Sequence, residues 1–329
     1  MLRRNFLTQL MAAGAMSKFA APPLAAQTAP SRSNIFLERP ATGQPHKGKV
    51  LLALQAHSDD IPLSAAGTVA KLIEEGYTGY LVRATNDDMG DAPGLGTPGT
   101  IGENALHNER DNEEIARILG CKRTFNLNYN NHRMADISLN ELISRLILII
   151  RLVKADTVVC WDPWAHDEEN PDHYMLARGV EAACWMAGRS HDYEEQLAAG
   201  LSPHAVADKY YFARRPEITR VVDISAQIDK KVEANRANSA KGPAGHLGSR
   251  LRADLAKKGQ RLAVLGNGDD LSADRNYIKE FGMRRNRELG AKYGVEYAEA
   301  FHYLAPGSAG AGTDPVVEDY VRQHAAPVK

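Results

Sequence analysis

Between Gln55 and Ile61 the chain sets an imidazole and two carboxylates within four residues, His57-Ser58-Asp59-Asp60. A second group, His166 to Glu169 followed by Asn170-Pro171-Asp172-His173, lies about a hundred residues further on. Neutral imidazoles and carboxylates are the donors a catalytic divalent ion such as zinc takes, with one position left for water. A histidine and an aspartate three residues apart across a strand-to-helix turn converge on one ion. Adjacent aspartates cannot point the same way, so one of Asp59 and Asp60 ligates with His57 while the other faces the bound water. His173 completes a His/Asp/His set, and Asp172 is placed to orient a histidine from behind. Plainer readings exist: Ser and Asp are favoured helix caps, and the second cluster alone reads as a solvated acidic loop with one histidine. Capping leaves His57 unexplained, and two such clusters at two strand ends are hard to obtain by chance.

The elements that position these residues follow from hydrophobic periodicity. Val50 to Leu54 is a continuous apolar run, the pattern of a strand buried on both faces of a parallel sheet. A helix over Ala65–Glu75 follows, then a strand over Gly79–Ala84, a Gly/Asp-rich loop over Asn86–Gly102 and a helix over Glu103–Leu119 stopped by Gly120. Alternation continues with a strand near Thr124–Leu127, a helix over Leu139–Val153, a strand over Thr157–Trp161 and a helix over His173–Met186. Strands at 210–212 and 220–224 and helices at 226–240 and 274–293 complete the series. Such alternation predicts an α/β fold, a Rossmann-like three-layer sandwich with a mostly parallel sheet. Ligands of that fold bind at the carboxyl ends of strands, and both clusters directly follow a strand. No GxGxxG or P-loop follows the first strand, so a nucleotide-binding reading has little support.

The ordered set of motifs resembles the PIG-L/LmbE-like deacetylases, zinc enzymes that remove acetyl groups from N-acetylglucosamine-type substrates. The family's (A/P)-H-P-D-D stands here as Ala56-His57-Ser58-Asp59-Asp60, and its H-x-D-H as Asn170-Pro171-Asp172-His173. An R-x-x-E helix ending in Leu-Gly is matched by Arg110, Glu113, Leu119 and Gly120. Asp223-Ile224 with Lys231 and Ala234, and Gly294 to Phe301, are similar to later landmarks. The resemblance implies that His57, Asp60 and His173 bind zinc (Zn2+), that Asp59 is the general base, and that the substrate is a small amino sugar or glycoconjugate. Three departures stand out: Ser58 replaces a proline, Ile61 replaces an acid that often follows the aspartate pair, and Asn170 replaces the histidine that stabilises the oxyanion or supplies a proton. Asparagine can donate a hydrogen bond but not act as a general acid, so His166, in the same loop, is expected to take that catalytic role beside Asn170. The competing reading is an exported carbohydrate-binding protein that has lost turnover through Asn170.

Less specific features have simpler expectations. Arg110 pairs in the wall of the site more readily than it holds substrate, and Glu299 ties down the last segment. The loop carrying Asp88, Met89 and Asp91 forms one side of a sugar pocket, Trp164 stacks on a sugar ring, and Trp161 packs in the core. Cys121, Cys160 and Cys184 show no CxxC spacing and read as buried thiols.

At 329 residues, with 40 Lys+Arg against 41 Asp+Glu and a formal net charge of −1, the chain has no basic cluster calling for nucleic acid. No stretch approaches the roughly 20 apolar residues of a spanning helix. Arg3-Arg4 followed by a weakly apolar stretch and small residues reads as a twin-arginine export signal over 1–26, implying a periplasmic or secreted protein without stable membrane insertion. Residues 27–47 read as a linker, 48–305 as the catalytic domain and 306–329 as a flexible tail. The oligomeric state is unreadable from these features.

Overall fold

Val50 to Gln55 carries side chains that are almost all withdrawn from water, and this strand (β2) forms the axis of an eight-stranded sheet. The computed structural model describes residues 35–89, 100–212, 215–241, 245–306 and 315–327. In chain order the elements are β1 (Phe36–Glu38), β2 (Val50–Gln55), α1 (Asp60–Ser64), α2 (Ala66–Glu74), β3 (Thr78–Thr85), α3 (Ile101–Leu119), β4 (Arg123–Tyr129), α4 (Leu139–Val153), β5 (Thr157–Trp161) and α5 (Pro171–Met186). They continue with α6 (Glu194–Ala198), β6 (Asp208–Phe212), β7 (Arg220–Asp223), α7 (Ile228–Ala237), α8 (Leu247–Lys257), α9 (Asp270–Tyr277), α10 (Arg284–Tyr293), β8 (Ala298–Leu304) and α11 (Pro315–His324).

The sheet order is β1-β7-β8-β6-β5-β2-β3-β4, and β8 runs antiparallel to both its neighbours while the other pairs are parallel. From β2 the chain winds outward through β3 and β4, then returns to β5 on the other side of β2. The point between the carboxyl ends of β2 and β5 is therefore the switch point, where loops diverge and leave a crevice. Leu52 and Ala53 pair with Val158 and Val159 across it, which sets the two strand ends level. Helices flank the sheet: α4 packs on α5, and α7 packs on α2 and α3.

Local chemistry sets the helix ends that matter. Thr100 and Glu103 close a reciprocal capping box at the start of α3, and Gly120 ends it in the left-handed region at φ 84°. Asn170 caps α5 through its side chain, with Pro171 in the first turn. That start brings Asp172 as well as His173 inside the first turn.

The sequence-based boundaries need correction at several points, α6 and β8 among the elements not foreseen. The presumed linker 27–47 contains β1, which adds to the sheet beside β7 and sends Glu38 into ion pairs with Lys71 at 2.9 Å and Arg220 at 2.8 Å. A three-residue strand is too short to show periodicity. The helix expected over 274–293 is two helices separated by a wider turn at Ile278–Gly282. Helix α8 was not anticipated, and the tail expected after 305 contains α11. The presumed export signal and Asp91 lie outside the described residues. No described helix is long and apolar enough to cross a membrane. All three cysteines carry free thiols; Cys160 and Cys184 are buried, and burial pushes their acidity down.

Candidate metal centre and active site

The carboxyl end of β2 turns sharply into α1, and Asp60 makes that turn. Its Oδ2 accepts from the backbone N–H groups of Ala56 (2.8 Å) and His57 (3.0 Å), which leaves Oδ1 facing the crevice. There it lies 3.8 Å from His57 Nδ1 and 3.3 Å from His173 Nε2, and the two ring nitrogens are 2.9 Å apart. Among the described residues, His57, Asp60 and His173 form a group whose donor atoms all lie within 4.8 Å of one another.

Each histidine has a carboxylate behind it. His57 Nε2 is 3.0 Å from Asp172 Oδ2, and His173 Nδ1 is 3.1 Å from Glu168 Oε1, though the latter contact is poorly aligned for a hydrogen bond. Asp172 is fully buried and also accepts from the backbone of His132 (2.6 Å) and Met134 (3.1 Å). Burial opposes its ionised form, but the bonds from His57 and the two amides prevail and hold it below the usual carboxylate range. Carboxylates on the outer nitrogens assign the protons there. The inner nitrogens then present lone pairs to each other and to Asp60 Oδ1, an arrangement that repels itself unless a cation sits between.

The donor set fits a divalent ion. Tetrahedral zinc with N and O ligands at about 2.0–2.2 Å puts ligand atoms about 3.4 Å apart, and the observed triangle brackets that spacing. Electrostatics agree: burial and the Lys241 cation oppose a charged His57, yet the carboxylates of Asp172 and Asp60 lift its pKa to about 10. A pocket that draws a proton so strongly draws other cations as well.

Asp59 is not committed to capping. It sits at the N-cap of α1, but its side chain accepts no capping hydrogen bond. Its carboxylate lines a cavity of about 340 Å³ together with the three donor residues. Burial raises its pKa, Asp60 and Asp87 add to the rise, and Lys241 and His57 oppose it. Lys241 Nζ lies 3.9 Å from Asp59 Oδ1 and 2.8 Å from Asp87 Oδ1. Asp87 is wholly buried, adopts φ 58°, and accepts from the Ser58 amide at 2.9 Å.

The structure therefore brings His57, Asp59, Asp60, Asn170 and His173 to one cavity. His166 does not join them: it is exposed and does not line the cavity. Asn170 lines the wall, but its oxygen accepts from the Asp172 amide at 3.0 Å as the cap of α5. Trp161 packs in the core as expected and also borders the site, while Trp164 does not reach it. Trp161 lines the cavity and stacks on His173 at 4.0 Å between ring centroids, whereas Trp164 is exposed and donates to Glu181 instead. Arg110 is exposed and outside the cavity lining, and Met89 lines it. Asp88 instead holds a neighbouring loop through Asn130 and Asn131. Glu299 ties down the last strand as expected, accepting from Gly67, Thr68 and Lys231.

Sequence reasoning missed Lys241, Asp87, His132 and the orienting role of Glu168. Lys241 arrives from beyond α7 because Asp111 on α3 accepts the amides of Ser239 and Ala240, both at 2.7 Å. No local pattern encodes that. His132 carried a weak signal, a histidine just past a strand end.

Comparison with known proteins agrees with this geometry. A family model described as GlcNAc-PI de-N-acetylase, PIG-L, matches residues 52–184. The diacetylchitobiose deacetylase of Thermococcus kodakarensis is 29% identical over 199 residues, covering 59% of this chain and 71% of that protein. The uncharacterized deacetylase YaiS of Escherichia coli K12 is 32% identical over 142 residues, covering 42% of this chain and 70% of its own length. The chain belongs to the PIG-L family, and with it to the amide-hydrolysing deacetylases. Among solved structures, the N,N'-diacetylchitobiose deacetylase of Pyrococcus horikoshii superposes with a TM-score of 0.61 at 22% identity, covering 82% of this chain and 88% of that one. The 4-carboxy-2-hydroxymuconate hydratase of Pseudomonas putida KT2440 does so with a TM-score of 0.56 at 18% identity, covering 81% and 98%. The fold thus hosts more than one reaction, and the reaction must be argued from the site.

Proposed function

We propose that this protein is a zinc-dependent hydrolase that removes the N-acetyl group of an N-acetylglucosamine-type sugar or a related glycoconjugate. His57, Asp60 and His173 hold the metal, and Asp59 is the general base. The observation that carries the reading is the convergence of three lone-pair donors, two of them backed by carboxylates, beside an aspartate that the fold does not use as a cap. Zinc bound there supplies an acidified water and polarises the acyl oxygen.

The chain's own groups do the rest. Asp59, beside Asp60 and on the cavity wall, takes the proton of the attacking water and returns it to the amine nitrogen as the C–N bond breaks, leaving acetate and the free amino sugar. Lys241 and the buried Asp87 hold opposite charges around Asp59 and fix its surroundings. Trp161 holds the His173 ring flat against the wall. The small size and polar lining of the cavity favour a compact acetamido group over a peptide segment. Arg3-Arg4 and the stretch after them support twin-arginine export, and hence action on amino sugars outside the cytoplasm.

The test is amine release from N-acetylglucosamine and N,N'-diacetylchitobiose by the zinc-loaded protein and by Asp59→Asn. Loss of a positioned base lowers kcat by about 10²–10⁴-fold, with metal content unchanged. Equal release by both proteins would sink the reading.

A further inference from the structure

Resting on the deacetylase reading, the site still needs a hydrogen-bond donor for the oxygen of the acyl group as it gains negative charge. Asn170 is fixed as the cap of α5 through its carbonyl, which leaves only its Nδ2–H as a neutral donor, and His166 is outside the cavity. One imidazole not yet assigned does line the cavity, that of His132. Its ring centroid lies 6.3 Å from that of His57, at a steep angle of 73°. His132 is exposed enough for a ligand to reach it.

The backbone holds this ring in a costly way. His132 adopts φ 61°, in the left-handed region where a Cβ is disfavoured. Buried carboxylates clamp both sides of it: Asp88 accepts from Asn130 Nδ2 (2.8 Å) and the Asn131 amide (2.9 Å), and Asp172 accepts from the amides of His132 (2.6 Å) and Met134 (3.1 Å). Strain of this kind persists where surrounding structure over-determines it, often at functional sites. The neighbouring Asn131 is a second, independent observation. It lines the same cavity and is 1% exposed, yet neither its Oδ1 nor its Nδ2 has a hydrogen-bond partner. A buried amide without partners costs about 1–3 kcal/mol per group, so such a group awaits a partner that arrives with ligand or water.

We propose that the Asn131-His132 loop is the acyl-binding arm of the site, with His132 as a catalytic residue whose ring N–H donates to the acyl oxygen in place of the family's missing histidine. Preorganised donors aimed at developing charge are worth about 10²–10³-fold in kcat. The arm is rigid because the carboxylate that orients His57, Asp172, also fixes the His132 amide. His57 and the His132 backbone are thereby held by one carboxylate on the same wall of the cavity.

The experiment compares full-length wild type, His132→Ala and His132→Gln, each loaded with zinc. Two quantities are read: kcat and KM for N,N'-diacetylchitobiose, and affinity for a glucosamine whose acetyl group is replaced by a tetrahedral methylphosphonyl group. His132→Ala should lose about 10²–10³-fold in kcat with little change in KM, and lose analogue affinity by a comparable factor. His132→Gln, which keeps an N–H donor, should recover part of both. Zinc content should stay equal in all three. An analogue affinity unchanged in His132→Ala overturns the assignment, as does loss of zinc from that variant, or the same kcat loss produced by His166→Ala. If wild type hydrolyses none of the sugars, the deacetylase reading fails, while the analogue-affinity difference still decides His132.

Discussion

Two regions of this molecule bury charge, and they do so to opposite ends. In one, Lys231 and Glu299 form a 2.7 Å ion pair with both side chains fully withdrawn from water. Every group there is answered. Glu299 also accepts from the amides of Gly67 and Thr68 and from the Thr68 hydroxyl, and Lys231 donates to the carbonyls of Pro62 and Leu63. In the other, His57, Asp60 and His173 turn their outer atoms to structural partners and leave three inner atoms facing one another. Burial alone therefore does not mark a site. The mark is buried donor atoms that converge on one point while the outer atoms of their side chains are held by carboxylates and amides. The closed cluster stiffens the frame; the open one is poised for an ion.

The sharpest way to break the comparison is to open the closed cluster. Lys231→Met leaves Glu299 buried without its cation, which costs about 3–5 kcal/mol, read by denaturant unfolding. The zinc stoichiometry of the folded protein should be unchanged. A neutral effect would mean that this cluster is not the structural counterpart proposed. Next in size is Asp172→Asn, which keeps the shape but weakens the acceptor behind His57. Metal affinity should fall by about 10–100-fold in competition with a chelator, with far less change in unfolding. A larger loss of stability than of metal affinity would place Asp172 with the structural group instead.

The smallest effect concerns Glu38. Burial opposes its charged form, but Lys71, Arg220 and the Tyr210 hydroxyl outweigh that and lower its pKa. A carboxylate with a lowered folded pKa contributes stability above its unfolded value, near 4.3, and that contribution disappears as pH falls through the folded value. Glu38→Gln should therefore cost roughly 1 kcal/mol at neutral pH, and the cost should shrink progressively as pH falls below the unfolded value of about 4.3. A penalty that persisted in acid would show that packing, not charge, holds β1 in place.

Much of this was legible in the residues themselves. Continuous apolar runs at 50–54 and 157–161 identified the two central strands, and the rule that ligands sit at strand ends put both clusters on the same rim of the sheet. The ligand candidates converge because both follow adjacent strands at a switch point. What escaped the sequence depends on contacts between distant segments. Lys241 reaches Asp59 only because α3 pins the chain after α7, and β1 exists only because β7 offers it an edge. Trp161 and Trp164 look alike three residues apart, and only the end of β5 decides which one faces the cavity. His166 and His132 differ the same way: nearness in sequence favoured the first, the turn after β4 delivered the second.

Asp172 serves two masters, the ring of His57 and the backbone of the loop that carries His132. Loops at strand ends are ordinarily where related enzymes diverge in length and composition. Here an insertion or deletion between β4 and α4 would pull on the same carboxylate that seats His57, a proposed metal ligand. This loop is therefore tethered: its residues can be exchanged, but its length cannot drift without disturbing the seating of His57. New substrate preferences in this lineage should arise by substitution along that arm, and length variation should be confined to loops that share no carboxylate with the centre.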